Sequence, residues 1–231
     1  MEVNEGEIVA VIGPNGAGKT TFFNSLTGLC KPTAGQIIFA DRDLTNKSAC
    51  FISRQGVART FQNIRLFKSL TVLDNLITAC HQNIRYSFFD GIFKTRTYKR
   101  EEQAALETAQ AMLEIVGLSE QAHELAVSLP YGDQRKLEIA RALVTKPKLL
   151  LLDEPAAGMN PAETQELLSL IQYLRAEFGI TILLIEHDMN LVMNLCERIF
   201  VLDYGVLIAE GSTKEIRSNE QVIQAYLGAD V

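Results

Sequence analysis

The sequence predicts an α/β protein: a parallel sheet covered by helices on both faces, with a helical segment inserted into it. Three observations carry this. Short apolar runs alternate with helix-length segments toward both ends of the chain, as parallel strands joined by crossover helices require. The stretch from about residue 71 to 144 has no such runs and reads as helix throughout. Ile8-Val-Ala-Val-Ile12 is an unbroken apolar run of strand length, as expected of a strand buried on both faces.

The elements follow in order. The strand at 8–12 leads through a glycine-rich loop into a helix at 18–29, stopped by Gly28. Strands are expected at 36–40 and near 57–61. In the middle, Thr71-x-x-Asp74 can cap one helix, a long one spans 98–116 and ends at Gly117, and a third begins near Gly132 and ends before Pro147. Alternation then returns: strand 148–152, helix 162–178, strand 180–185, helix 187–196, strand 198–203. Near the C-terminus Val222, Ile223, Tyr226 and Leu227 are expected to form one apolar helix face docked on the same domain. The expected division is a core of 1–68 and 145–231 around a helical subdomain of 69–144.

Bulk properties narrow the function classes. The 231 residues, 47% hydrophobic and 22% charged, suit one large domain with a substantial core. A net charge of −6 argues against a general nucleic-acid binder. No apolar run reaches the roughly 18 residues that a membrane span needs. Met1-Glu-Val-Asn-Glu5 lacks a signal-peptide stretch, so a cytosolic chain is expected unless another protein holds it at a membrane. Cys30, Cys50, Cys80 and Cys196 show no metal spacing and read as reduced structural thiols.

Gly13-Pro-Asn-Gly-Ala-Gly-Lys-Thr20 matches the phosphate-binding pattern G-x-x-x-x-G-K-[ST] at every fixed position. It joins a strand to a helix N-terminus, where unpaired backbone N–H groups and the helix dipole favour an anion. Gly13, Pro14, Asn15, Gly16, Ala17, Gly18, Lys19, Thr20 and Thr21 are the candidate nucleotide contacts. Lys19 would place a full charge near the β- and γ-phosphates, and the Thr20 hydroxyl would hold Mg²⁺. A second motif, Lys148-Leu-Leu-Leu-Leu-Asp-Glu-Pro155, is a buried strand ending in two carboxylates. Ligands of open α/β sheets sit at the carboxyl ends of the strands, so these acids belong beside the loop. Asp153 would help hold Mg²⁺, and Glu154 would take a proton from the water attacking the γ-phosphate.

With both motifs in place the chain resembles the ATP-binding-cassette ATPases, the motor subunits of membrane transporters. The resemblance implies a phosphate-loop NTPase core of the RecA-like type with an inserted helical subdomain. Phe61-Gln62-Asn63 is similar to the family's glutamine loop, which implies contact of Gln62 with metal and attacking water. Ile185-Glu-His-Asp-Met189 is similar to its switch-histidine segment, which makes His187 the γ-phosphate contact. The signature segment departs from the family's Leu-Ser-Gly-Gly-Gln: here it reads Leu129-Pro-Tyr-Gly-Asp133 followed by Gln134. By position, Pro130, Tyr131, Gly132, Asp133 and Gln134 would face a partner subunit's ATP, although Pro130 lacks the hydroxyl and Asp133 brings a carboxylate. Asn160 stands where the family has an acid used between subunits. The family's N-terminal strands, and with them an aromatic that stacks on adenine, are expected to be missing ahead of Gly13.

Arg59-Thr-Phe-Gln-Asn-Ile-Arg-Leu-Phe67, Leu70-Thr-Val-Leu-Asp-Asn-Leu76 and Ala225-Tyr-Leu-Gly228 resemble one subgroup, an ATPase subunit of bacterial branched-chain amino-acid importers. That implies ATP and Mg²⁺ as ligands and a second cassette subunit, identical or not, as partner. It also implies two separate membrane permeases, an extracytoplasmic binding protein acting indirectly, no nucleic acid, and a place at the cytoplasmic face of the membrane. Two alternatives stay open from the residues alone: a soluble cassette ATPase outside transport, and a catalytically weak binding partner. The stretch 81–100 interleaves Arg85, Lys94, Arg96, Lys99 and Arg100 with five aromatics. Inward-packed aromatics with solvated cations, a permease or lipid contact, and single-stranded nucleic acid are all readings of it.

Overall fold

The computed structural model describes residues 1–84 and 86–227. Arg85 of the basic stretch and Gly228 of the C-terminal motif lie outside the described residues. The chain forms two compact units, Met1–Gln62 with Lys148–Val231, and Asn63–Pro147.

The first unit is built on a six-stranded sheet. Its strands are β1 (Ile8–Ile12), β4 (Val57–Arg59), β5 (Leu149–Asp153), β6 (Thr181–Ile185), β7 (Arg198–Asp203) and β8 (Val206–Ser212), in the order β4-β5-β6-β1-β7-β8. All neighbours run parallel except β8, which lies antiparallel on β7 at the edge. The sheet is therefore mixed rather than wholly parallel. β1 and β6 are buried along their whole length, which is why their sequences are continuous apolar runs. Around the sheet lie α1 (Lys19–Leu26), α2 (Ala49–Arg54), α7 (Pro161–Phe178), α8 (Met189–Leu195), α9 (Thr213–Arg217) and α10 (Glu220–Leu227). One core cluster joins Val9, Val11, Phe23, Ile52, Leu151, Leu183 and Phe200.

Local chemistry sets the boundaries. α1 stops at Leu26, short of the expected 29, because the chain turns at Thr27 and Gly28 has φ 71°. A Cβ at Gly28 would stand 2.6 Å from the Lys47 carbonyl oxygen, so only glycine fits. The strand expected at 36–40 is reduced to β2 (Ile38–Phe39), paired antiparallel with β3 (Arg42–Asp43). Ala40 and Asp41 both have positive φ, the geometry of a tight hairpin turn. α7 starts at a capping box between Asn160 and Glu163, with Pro161 in its first turn, and ends at Gly179 with φ 60°. On α10 the expected apolar face is only partly realised. Val222 is buried, Ile223 is 44% exposed, Tyr226 is half-buried, and the Leu227 side chain lies outside the described residues.

The second unit is helical: α3 (Val72–Cys80), α4 (Phe88–Phe93), α5 (Arg96–Ile115) and α6 (Tyr131–Leu143). Thr71 caps α3, accepting from the Asp74 N–H at 3.0 Å. Leu76, Ala109, Leu113, Leu118, Leu137 and Ile139 are buried among these helices. Three buried polar side chains inside find partners. Asn75 bonds the Phe67 N–H and carbonyl and the Thr71 carbonyl. Arg135 pairs with Glu138 at 2.7 Å, and Glu138 also accepts from the Arg65 N–H.

Candidate functional site

The carboxyl ends of β1, β5 and β6 lie side by side, and the loops leaving them bring the first unit's candidate residues together. After β1 the chain turns through Gly13, Gly16 and Gly18, with φ of 152°, 82° and 96°. A Cβ on Gly13 would stand 2.1 Å from the Leu202 carbonyl oxygen, so the loop is pressed against β7 and needs glycine. Among the described residues nothing lies within 4 Å of a Cβ at Gly16. Asn15, Gly16, Thr20 and Thr21 are exposed, whereas Ala17 is buried and its carbonyl accepts from the Gly205 N–H at 3.0 Å. The result is an anchored loop with an open outer face at the start of α1, which fits a phosphate chain.

Lys19 reaches back over this loop. Its ammonium donates to the Gly13 carbonyl at 2.6 Å and the Pro14 carbonyl at 3.0 Å. Half-burial lowers its pKa, and the Glu154 carboxylate works in the opposite direction. An open cleft of about 590 Å³ borders the loop, lined in part by Gly16, Gly18, Thr21, Phe22 and Tyr204.

Asp153 ends β5 and is buried. Its Oδ2 is paired with Arg59 Nη2 at 2.7 Å, and the two side chains are 7% and 5% exposed. Arg59 Nη1 donates to Asn24 Oδ1 at 2.8 Å, and the guanidinium lies 5.0 Å from the Phe61 ring centroid and 5.5 Å from that of Phe23. Thr20 and Asp153 supply hydroxyl and carboxylate oxygens, the donor types that a small hard cation takes. Arg59 already neutralises part of that charge.

Glu154 follows with φ 47°, an uncommon value for a non-glycine residue. The Ile185 carbonyl accepts its N–H at 2.9 Å. Gln62 Nε2 donates to Glu154 Oε2 at 2.8 Å, and His187 Nδ1 is 3.9 Å from Oε1. The His187 side chain is 65% exposed. Beneath it Glu186 is buried and accepts from the N–H groups of Ala156, His187 and Asp188. Burial pushes its carboxyl above its ordinary value against the pull of those bonds. Gln62, Glu154 and His187 thus converge, with Lys19 close enough to feel the Glu154 charge.

The signature residues open α6 in the second unit. Pro130 takes the N-cap position without a side-chain cap bond. Asp133 pairs with Lys136 at 3.3 Å, and Gln134 Nε2 donates to the Leu129 carbonyl at 2.8 Å. Tyr131 is exposed and Gly132 is buried.

Sequence reasoning does not place Arg59, Asn24 or Glu186 in this site. Arg59 pairs in register with Leu151, two residues before Asp153. That proximity follows only once β4 and β5 are known to be neighbours. Glu186 lies within the histidine motif, but nothing in the motif marks it as buried under the loops.

Comparison with known proteins agrees with this geometry. The ABC transporter family matches residues 1–157, and the family described as branched-chain amino acid ATP-binding cassette transporter matches 206–231. The high-affinity branched-chain amino acid transport ATP-binding protein LivG of Salmonella typhimurium is 53% identical over 99% of this chain and 89% of its own. A crystal structure of the ADP conformation of an ATP-binding cassette of an ABC transporter, MJ1267, superposes with a TM-score of 0.84. It is 35% identical and is matched over 99% of this chain and 90% of its own. The dimeric post-hydrolysis state of the cassette MJ0796, bound to ADP and Pi, superposes with a TM-score of 0.76 at 26% identity, over 92% and 88% of the two chains. The phosphate loop, the paired strand-end carboxylates and these matches together show that the chain belongs to the ATP-binding-cassette transporter ATPases.

Proposed function

We propose that this chain is the ATP-hydrolysing subunit that powers import of branched-chain amino acids through separate membrane permeases. The observation that carries the catalytic part is the convergence of Gln62 and His187 on Glu154, beside the phosphate loop. The 53% identity to LivG supports the substrate.

In this reading the backbone N–H groups of Gly16–Thr20 and the Lys19 ammonium hold the phosphates of ATP. Lys19 exchanges its bonds to the Gly13 and Pro14 carbonyls for phosphate oxygens, stronger acceptors for a cation. Mg²⁺, held by Thr20, Asp153 and Gln62, would offset charge on the β- and γ-phosphates. Glu154 accepts a proton from the attacking water, and the bond from Gln62 fixes its carboxylate for that task. His187 steadies the transferred phosphoryl group.

Two subunits would meet head to tail, so that each ATP lies between one phosphate loop and the Pro130–Gln134 segment of the other. The core around the sheet would bind ATP and the helical unit would carry the signature. The permeases would hold the chain at the cytoplasmic face of the membrane and receive the closing motion. A binding protein outside would deliver the amino acid. Among the described residues no helix is long and apolar enough to cross a membrane, in keeping with separate permeases.

The test is MgATP turnover by the purified chain, together with leucine uptake by vesicles that contain its permeases. Glu154→Gln is expected to keep ATP binding and to lower turnover about 10²- to 10⁴-fold. Parental turnover in that variant would remove Glu154 from the base role. ATP-dependent uptake that ignores leucine, isoleucine and valine would overturn the substrate.

A further inference from the structure

Helix α4 is unusual in what it shows to solvent. Phe88, Phe89, Ile92 and Phe93 are 78%, 68%, 56% and 75% exposed. At helical spacing these four fall on one side. Six residues do not sustain a helix in water unaided, yet this one is held firmly. Ser87 and Asp90 form a capping box, and Thr95 Oγ1 donates to Asp90 Oδ1 at 2.8 Å. Just before it, the Tyr86 ring meets Tyr98 edge-on at 5.1 Å and its hydroxyl donates to Glu102 at 2.7 Å. Polar bonds on both flanks hold an apolar knob outward.

The charge beside the knob is sorted. Lys94 ends α4, and Arg96, Lys99 and Arg100 share one side of the first turns of α5, at i, i+3 and i+4. All four are exposed, and among the described residues none is in an ion pair. The neighbouring acids are engaged elsewhere: Glu101 accepts from the Tyr86 N–H, Glu102 from the Tyr86 hydroxyl, and Asp90 from the Ser87 N–H in the cap.

We propose that α4 and the first turn of α5 dock directly onto anionic lipid, the phenylalanines entering the headgroup boundary and the cations meeting lipid phosphates. A lipid surface is favoured over a protein partner by the chemistry of the patch. Its apolar side chains are exposed, exposed cations follow them directly in the chain, and the acids Asp90, Glu101 and Glu102 are already hydrogen-bonded. That arrangement matches the depth profile of an interface, where apolar groups sit below the phosphates. The whole chain carries a net charge of −6, which repels an anionic membrane, so binding must come from a local surface.

The full chain is tested by flotation with phosphatidylcholine vesicles, with and without phosphatidylglycerol, at low and high salt. Binding is expected with phosphatidylglycerol and low salt only. Arg96→Gln, Lys99→Gln and Arg100→Gln should each lower partitioning about fivefold, and Phe88→Ser with Phe93→Ser should abolish it, while ATP affinity stays at the parental value. The sequence has no tryptophan, so Phe93→Trp gives a clean reporter whose emission should shift to the blue on the same vesicles. Equal partitioning of parent and variants, or an unshifted indole emission from the Phe93→Trp variant, would overturn the proposal. Retention by the permeases in detergent that depends on Phe88 and Phe93, without vesicle binding, would overturn it in favour of a protein contact. These readouts are independent of ATP hydrolysis, so they stand or fall apart from the catalytic reading.

Discussion

Arg59→Met isolates the Asp153 carboxylate. In the parent the pair is 2.7 Å long and nearly removed from water, and Arg59 also bonds Asn24 and lies beside two phenylalanine rings. Methionine keeps most of the volume and the ring contacts but removes the charge and its donors. Breaking a buried pair from one side costs about 3–5 kcal/mol, because the remaining charge is left uncompensated. For a chain of this size each kcal/mol moves the melting temperature by about 2–4 °C, so a fall of about 6–20 °C is expected. Urea unfolding followed by circular dichroism measures the loss directly. The double variant Arg59→Met/Asp153→Leu should recover much of it, since no buried charge remains. A loss of less than about 1 kcal/mol in the single variant, or a double variant no more stable than the single one, would show that no buried charge is left uncompensated.

Other substitutions probe the loop and the sheet. Lys19→Ala should weaken ATP binding about 10- to 100-fold, read by titration with MgATP; equal affinity would mean the backbone binds alone. Gly13→Ala forces a Cβ to 2.1 Å from the Leu202 oxygen. It should cost about 1–3 kcal/mol of stability and most of the ATP affinity, measured on the same sample by melting and titration. For Glu7, burial raises the carboxyl pKa, but the bonds from Arg198 and Asn4 outweigh it and hold the group below its ordinary 4.5. Its contribution is therefore present above pH 4.5 and lost as pH falls below it. Glu7→Gln should cost about 1–2 kcal/mol at pH 7, and the gap to the parent should close in acid; a gap that does not change with pH would contradict the bidentate pairing with Arg198.

The parallel core is readable because strands such as 8–12 and 180–185 are buried on both faces and so carry no alternation to confuse them. β8 escapes notice for the opposite reason: at the sheet edge its residues are partly exposed and its sequence mixes Ala, Glu and Gly with apolar residues. α2 and α9 are short and depend on their serine caps rather than on an apolar stripe. In the site, the strand-end motif points to Glu154 and the family resemblance to Gln62 and His187, and the fold brings the three together. It cannot point to Arg59, whose link to Asp153 spans the sequence from one strand to another and depends on their adjacency in the sheet. The Asp133–Lys136 pair is local, yet a motif comparison does not suggest it, because the motif speaks only of what the carboxylate would face.

The left-handed backbone at Glu154 has a consequence for how this protein can change. Such a residue costs about 1–3 kcal/mol, borne by the rest of the fold. Glycine adopts that conformation without penalty, and asparagine nearly so. Selection for heat resistance alone would therefore favour replacing the very side chain proposed to do the chemistry. Laboratory evolution for a hardier variant needs turnover scored in every round, or the most rugged survivors will be inert binders of ATP.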